Sequence, residues 1–256
     1  MSIDLVHPVD TSSSVLRKTQ LILEAFGPDD ASLSLSELAR RTGVAKASVY
    51  RLAQELLGWG VLERSGSSYR LGMRLFEIGQ RVPRQRIVRD AARPYMEDLH
   101  QTTGEIVHLA ILDGLEIMYL EKIYGHGQVI RQSRIAGRMP LHCTATGKAF
   151  LAFGPNRLFD EVLGLPLDRV TTRTLTSPRM LAEDVARMKA QGYALEREET
   201  RIGYLSVAMP LFGATGAMVA ALSITAPTSR SDVNRYVGLL STVTGRITKS
   251  IMLPAV

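Results

Sequence analysis

The sequence predicts an α+β chain built as two domains, and three observations carry that expectation. Residues 35–54, LSELARRTGVAKASVYRLAQ, have the spacing of two helices broken at Thr42-Gly43, with a strand-turn-strand signal directly behind them. Beyond Gly104 the pattern changes to hairpin-connected apolar strands with amphipathic helices among them. Between the two lies an arginine-rich helical stretch punctuated by Pro83 and Pro94. A chain of 256 residues has enough apolar surface for two cores. The expected partition is a loose arm at 1–13, a first domain at 14–81, linker helices at 82–103 and a second domain at 104–256.

Residues 15–26, VLRKTQLILEAF, form the first expected helix, with Leu16, Ile22, Leu23 and Phe26 apolar and a stop at Gly27-Pro28. Its apolar side suits a core, an interface or both. In the next helix Leu38 and Ala39 face inward, Ser36 is placed to cap, and Arg40-Arg41 stand at the C-terminal end, where cations are favoured. Gly43 supplies the permissive backbone of a tight turn. Ala45, Val49, Leu52 and Leu56 then share one helix face. That leaves Lys46, Ser48, Tyr50, Arg51 and Gln54 on the other sides, a surface suited to phosphates and base edges. An ordinary amphipathic helix pair with a solvated face has the same periodicity. The hairpin signal, two strands around Ser65-Gly66-Ser67-Ser68, turns the unit into a winged helix. Ser67 and Ser68 of the wing are candidates for the phosphate backbone, and Trp59 and Leu62 for the core between wing and helix.

Residues 73–89 continue as a helix interrupted by Pro83, with Arg81, Arg84, Arg86 and Arg89 as a solvated linker face or a contact for phosphates or a second subunit. Pro94 is expected to open a further helix to His100, ended by Thr102-Thr103-Gly104. Residues 105–112 and 115–123 flank Asp113-Gly114, a pair suited to a two-residue hairpin turn. Further strands are expected near 128–134, 193–198, 204–211 and 217–225, and helices at 145–153, 155–163, 178–191 and 231–251. Ser177-Pro178 caps the third of these helices and Gly192 ends it. Hairpins with helices beside them describe an α+β domain, not a doubly wound parallel sheet.

Composition narrows the function classes. The net charge is +6, and residues 36–81 hold eight Lys/Arg against four Asp/Glu. That excess is modest for a general polyanion binder, but a dimer doubles the cationic footprint. The single cysteine, Cys143, excludes an intramolecular disulfide and suits a reducing cytosol. No signal peptide is visible and no apolar run approaches the roughly 20 residues that span a bilayer, so a cytoplasmic protein without membrane contact is expected. The histidines have no metal-ligand spacing, and no cofactor is expected.

Several motifs of the second domain invite an enzymatic reading. Thr144-Ala145-Thr146-Gly147-Lys148 resembles a phosphate loop but fails, since His142 stands where a glycine is required and Ala149 follows Lys148. His142-Cys143 before a helix has the look of an activated thiol, although neighbours on an extended segment point apart. Glu196, Glu198 and Glu199 read as a solvated charge cluster. A binding pocket accounts better for these residues. The helix start after Cys143 presents backbone N–H groups suited to a carboxylate, with small Ala145 and Thr146 beside it. Ser206, Ser223 and Thr225 are hydroxyls within apolar strands, and Ser223 and Thr225 share one face.

GVAKASVYRLAQELLGWGVLER and SYRLGMRLFEIGQ resemble the winged-helix region of the IclR family of bacterial transcriptional regulators. Ala45 stands where the family usually has proline, and Ala47 where it has a hydroxyl residue. MPLHCTATGKAFLA, GYLSVAMPLFGATGAMVAALSITAP and the terminal helix resemble the family's effector-binding domain, which has a GAF-like fold. The likeness spans residues 14–251 and implies a repressor or activator without catalytic residues. Two winged helices of a homodimer would bind a pseudo-palindromic operator in double-stranded DNA through Lys46, Ser48, Tyr50, Arg51, Gln54, Ser67 and Ser68. A small-molecule effector, a carboxylate or aromatic acid, would occupy a pocket on Leu141, Ala145, Thr146, Glu196, Ser206, Ser223 and Thr225. The family further implies assembly of dimers into tetramers. Two alternatives remain: an enzyme using His142 and Cys143, and a sensor whose winged module binds protein.

Overall fold

The computed structural model describes residues 14–125 and 133–252. The expected arm at 1–13 lies outside the described residues, as does nearly all of the strand expected near 128–134. Two compact units divide the chain, Met1–Pro83 and Arg84–Val256.

The first unit runs α1 (Val15–Glu24), α2 (Leu35–Thr42), α3 (Lys46–Trp59), β1 (Leu62–Ser65), β2 (Ser68–Leu71) and α4 (Met73–Gly79). Ile22, Leu38, Val49, Leu52, Ala53, Leu56, Val61, Leu62 and Tyr69 make its core. Ser34, not Ser36, caps α2: its backbone is extended and its side chain accepts from the Glu37 amide at 3.2 Å, whereas Ser36 is already inside the helix. Gly43 ends α2 with φ 68°, a conformation that costs an L side chain and that the sharp turn into α3 requires. Ala45 is the N-cap of α3 and is exposed, so the buried stripe starts at Val49. The hairpin pairs Leu62 with Leu71 and Ser65 with Ser68, and Leu33 bridges to Tyr69. Leu62 is buried as expected, but Trp59 is 57% exposed. It is the last residue of α3, and the left-handed turn at Gly60 carries Val61 and Leu62 into the core in its place.

The second unit begins with α5 (Pro83–Thr103), one continuous helix. Pro83 starts it instead of interrupting a longer one, and Pro94 lies inside it instead of opening a second. Val88, Ala92, Met96 and Leu99 form one buried stripe running past Pro94, so packing outweighs the backbone hydrogen bond that proline removes. The remaining elements are β3 (Ile106–Asp113), β4 (Glu116–Ile123), β5 (Arg138–Pro140), α6 (Ala145–Phe153), α7 (Asn156–Leu163), α8 (Pro178–Gln191), β6 (Ala194–Arg197), β7 (Tyr204–Phe212), β8 (Met218–Pro227) and α9 (Val233–Met252). The hairpin turn is Gly114-Leu115, with Asp113 paired to Glu116, one residue later than expected. The short strand β5 carried no pattern long enough to announce it. Ser177 occupies the N-cap of α8 without a side-chain bond, so Pro178 is the effective start signal.

The strands form one antiparallel sheet in the order β5-β4-β3-β8-β7-β6. Alternation along the central strands sends two residue sets to opposite faces. Val107, Leu109, Val207, Leu222 and Ile224 pack beneath α5 and α9. Ala110, Ala208 and Ala221 face α6, whose flank is closed by α7 and α8. Small residues let α6 approach the sheet closely. Towards the other end of that face the alternation supplies His108, Ser206, Ser223 and Thr225 instead. Apolar packing stops there and a polar cavity begins.

Candidate functional site: a basic helix face and a polar cavity

Burial divides α3 into two sides. Val49, Leu52, Ala53 and Leu56 are buried, while Lys46, Tyr50 and Arg51 are exposed and Ser48 is half-buried. Arg51 carries only an exposed partner on its own helix, Glu55 at 3.1 Å, an arrangement that solvent makes weak. Gln54 is turned to the wing, its Nε2 donating to the Tyr69 hydroxyl at 3.4 Å. Ser67 is exposed at the hairpin tip, and Ser68 is half-buried in the closing pair. Arg64, which the sequence reading did not single out, lies on the wing with its guanidinium 4.5 Å from the Tyr69 ring centre. Arg40 and Arg41 are engaged instead by Glu37 and Asp30, and the Glu37 carboxyl is held down at about 2 by those guanidinium hydrogen bonds.

The cavity of the second unit has about 480 Å³ of empty space, counted out to its open mouth. Glu196, Ser206 and Thr225 stand in register across β6, β7 and β8, forming one row on its floor. Ser223 and His108 are paired in the adjacent row. Ala145 and Thr146 of α6 close one side, and Tyr119, Met139 and Tyr204 add apolar walls. Six of the seven expected pocket residues therefore meet in one space. Leu141 does not line it and packs in the apolar core under α6. The wall residues His108, Tyr119, Ser133 and Arg201 went unnoticed in the sequence. The register of β3 against β8 would have identified His108, since alternation places it beside Ser223.

Hydrogen bonds bind the floor together. The Ser206 and Thr225 hydroxyls are 2.9 Å apart, and His108 Nε2 lies 3.0 Å from the Ser133 hydroxyl. Burial, with the Lys122 charge second, pushes the His108 imidazole down to about 3, so it is neutral. Glu196 is 1% exposed, and its Oε1 accepts from the amides of Glu199 at 2.6 Å and Thr200 at 3.0 Å. Burial above all, and then the Glu199 charge, pushes its carboxyl up to about 7 against those donors and Lys148. Glu196 and Glu199 are thus buried, not members of the solvated charge cluster expected of them. Glu199 is held there by Lys148, fully buried, whose Nζ binds Asp184 at 2.8 Å and also Glu199, and Glu196 by the backbone amides.

Thr144 caps α6, accepting from the Gly147 amide at 3.0 Å and donating to the Pro140 carbonyl at 2.9 Å. The amides of Ala145 and Thr146 have no partner within the helix, as at any helix start. Thr146 Oγ1 is buried with no hydrogen bond of normal geometry among the described residues, although the Tyr119 phenol lies beside it closely enough to interact. A buried hydroxyl left so is costly unless a ligand engages it. The His142-Cys143 pair is differently arranged from a nucleophile and its base. Burial and the two glutamate charges push the Cys143 thiol up to about 12, and His142 Nε2 binds the Asp168 carbonyl at 2.9 Å. Among the described residues there is no cluster suited to a metal ion, and no helix long and apolar enough to cross a membrane.

Comparison with known proteins fits both units. Residues 15–66 match the IclR helix-turn-helix domain, and residues 80–247 match the domain described as bacterial transcriptional regulator IclR C-terminal. The chain is 36% identical over 222 residues to the HTH-type transcriptional regulator XynR of Escherichia coli (strain K12), covering 86% of this chain and 88% of that protein. It is 35% identical over 250 residues to KdgR of the same organism, another HTH-type transcriptional regulator, covering 95% and 94%. Among solved structures, an IclR homolog from Microbacterium hydrocarbonoxydans complexed with 4-hydroxybenzoate superposes with a TM-score of 0.87 at 31% identity, covering 93% of this chain and 99% of that one.

Proposed function

Because the chain belongs to the IclR family of bacterial transcriptional regulators, we propose that it binds a pseudo-palindromic operator as a homodimer and that a small carboxylate or aromatic acid in the cavity modulates that binding. The DNA-binding winged helix and the C-terminal effector domain are the family's architecture, and the second domain is read as GAF-like. The observation that carries the proposal is the division of α3: its apolar side is consumed by the core while Lys46, Tyr50 and Arg51 stand exposed. Lys46 and Arg51 supply charge, Ser48 and Tyr50 hydroxyls for phosphates or base edges, and Ser67 and Ser68 the backbone contacts of the wing. Gln54 orients the wing through Tyr69. Exposed Val15 and Leu16 on α1 offer an apolar surface for pairing two winged units, and the sensor domains extend the dimer to a tetramer.

The cavity supports an aromatic or hydroxylated acid by its chemistry. Tyr119, Met139 and Tyr204 flank a flat apolar body, the α6 N-terminus and the Thr146 hydroxyl receive an anion, and the floor hydroxyls take a hydroxyl group. The related regulator that holds 4-hydroxybenzoate makes that compound the natural first probe. The protein is proposed to act in the cytoplasm, without a cofactor and without turnover. The proposal is tested by fluorescence anisotropy of labelled fragments from the upstream region of its own coding sequence. Saturable, salt-sensitive binding that weakens on Arg51→Ala and shifts with 4-hydroxybenzoate is expected. Equal binding by Lys46→Ala, Arg51→Ala and the unaltered protein would refute it.

A further inference from the structure

Glu196 and Thr146 are two groups of the cavity whose bonding is left incomplete among the described residues. Thr146 Oγ1 is buried with the Tyr119 phenol beside it but no hydrogen bond of normal geometry among the described residues. Every hydrogen bond to the Glu196 carboxylate among the described residues falls on Oε1, so Oε2 is the oxygen open to a ligand. Among the described residues no charged side chain bonds Glu196. Lys148 on α6 is held by Asp184 of α8 and by Glu199, and Glu199 is itself a second carboxylate. His108 on β3 is neutral, and Tyr119 on β4 and Cys143 ahead of α6 keep their protons. Arg201 is exposed at the rim, its guanidinium 4.4 Å from the Tyr204 ring centre. A ligand carboxylate in this space meets an acidic group at close range, and two adjacent carboxylates share a proton more readily than they both ionise.

We infer that Glu196 sets the ligand class of the cavity by taking a carboxylate anion only together with one proton, Oε2–H and the Thr146 hydroxyl donating to the same anion. The inference rests on the reading of this cavity as the effector site. Burial already pushes the Glu196 carboxyl up to about 7, so the proton is available near neutral pH. A neutral, hydroxyl-rich ligand would ask the opposite, an ionised Glu196 as acceptor, and would release a proton on binding.

Calorimetry of the full-length protein with 4-hydroxybenzoate, in two buffers of different ionisation enthalpy, reads the proton directly. Near pH 8 close to one proton is taken up per ligand, and affinity falls about tenfold per pH unit above about 7. Glu196→Gln keeps a donor but cannot titrate, so its affinity is flat with pH and takes up no proton. Binding with no proton exchange, or with proton release, overturns the inference while leaving the effector site standing. Absence of binding at both pH 6 and pH 8 removes the acidic-effector reading and this inference with it. Carboxyl NMR of the ligand-free protein, assigned by difference against Glu196→Gln, decides independently: titration of Glu196 in the ordinary carboxylate range overturns it.

Discussion

Lys148 and Glu196 sit a few residues apart in space and solve opposite problems. Lys148 is fully buried, and Asp184 and Glu199 both bond its Nζ. Lys148→Ala would leave Glu199 buried without its cation and Asp184 with only the exposed Arg187, and a loss of about 3–5 kcal/mol in denaturant unfolding is expected. Glu196 has amide donors but no bonded cation, and its folded-state carboxyl lies near 7 against a free value of 4.5. Below about 4.5 the group is neutral in both states and costs nothing. As pH rises from there to about 7 the unfolded chain ionises first, so stability is lost across that window and then levels off. Glu196→Gln escapes this loss. The unaltered protein should fall behind the variant by an amount on the order of 3 kcal/mol between those limits, read from melts at several pH values.

The start of α6 is the element on which the cavity depends. Thr144, Gly147 and Leu141 are packed so tightly that a Cβ on Gly147 would lie 2.5 Å from both the Leu141 backbone and the Thr144 hydroxyl. Gly147→Ala therefore forces the cap apart, and loss of soluble folded protein or of cooperative unfolding is the expected outcome, followed by circular dichroism. In α3 the expectation concerns binding instead. Arg51→Ala removes an exposed side chain whose only bonded partner among the described residues is Glu55, so stability changes little. Discrimination between operator and mismatched sites should drop by roughly 1–3 kcal/mol in competition anisotropy if Arg51 reads a base. A uniform loss across all sequences would assign it to a phosphate.

Over the whole molecule, each unit has its own closed core, the first around Leu38, Leu52 and Tyr69 and the second on the two faces of the sheet. A fragment spanning 84–256 should thus fold alone and match the full-length protein in calorimetric titration with the proposed probe, 4-hydroxybenzoate. If Lys46, Arg51 and their symmetry mates neutralise phosphates as proposed, operator affinity should fall linearly on a logarithmic salt scale, because counterions are released. A salt-independent affinity would point to a protein partner for the winged unit.

Periodicity, turn residues and caps acting over a few positions were enough to place the described α-helices other than α5 and all strands but β5, because those signals are local. The outward face of α3 was legible for the same reason: Val49, Leu52 and Leu56 commit one side and leave Lys46 and Arg51 on another. Pro94 inside α5 was not legible, since the proline penalty is local and the buried stripe that outweighs it exists only against the sheet. Nor could the chain alone reveal that Glu196 and Glu199 are buried. The pairing of Glu199 follows from Lys148 on a separate helix, and the place of Glu196 in the cavity from the row Glu196-Ser206-Thr225, which strand pairing assembles from distant segments. The electrostatics of the cavity depend on distance through a dry interior, and the fold sets those distances.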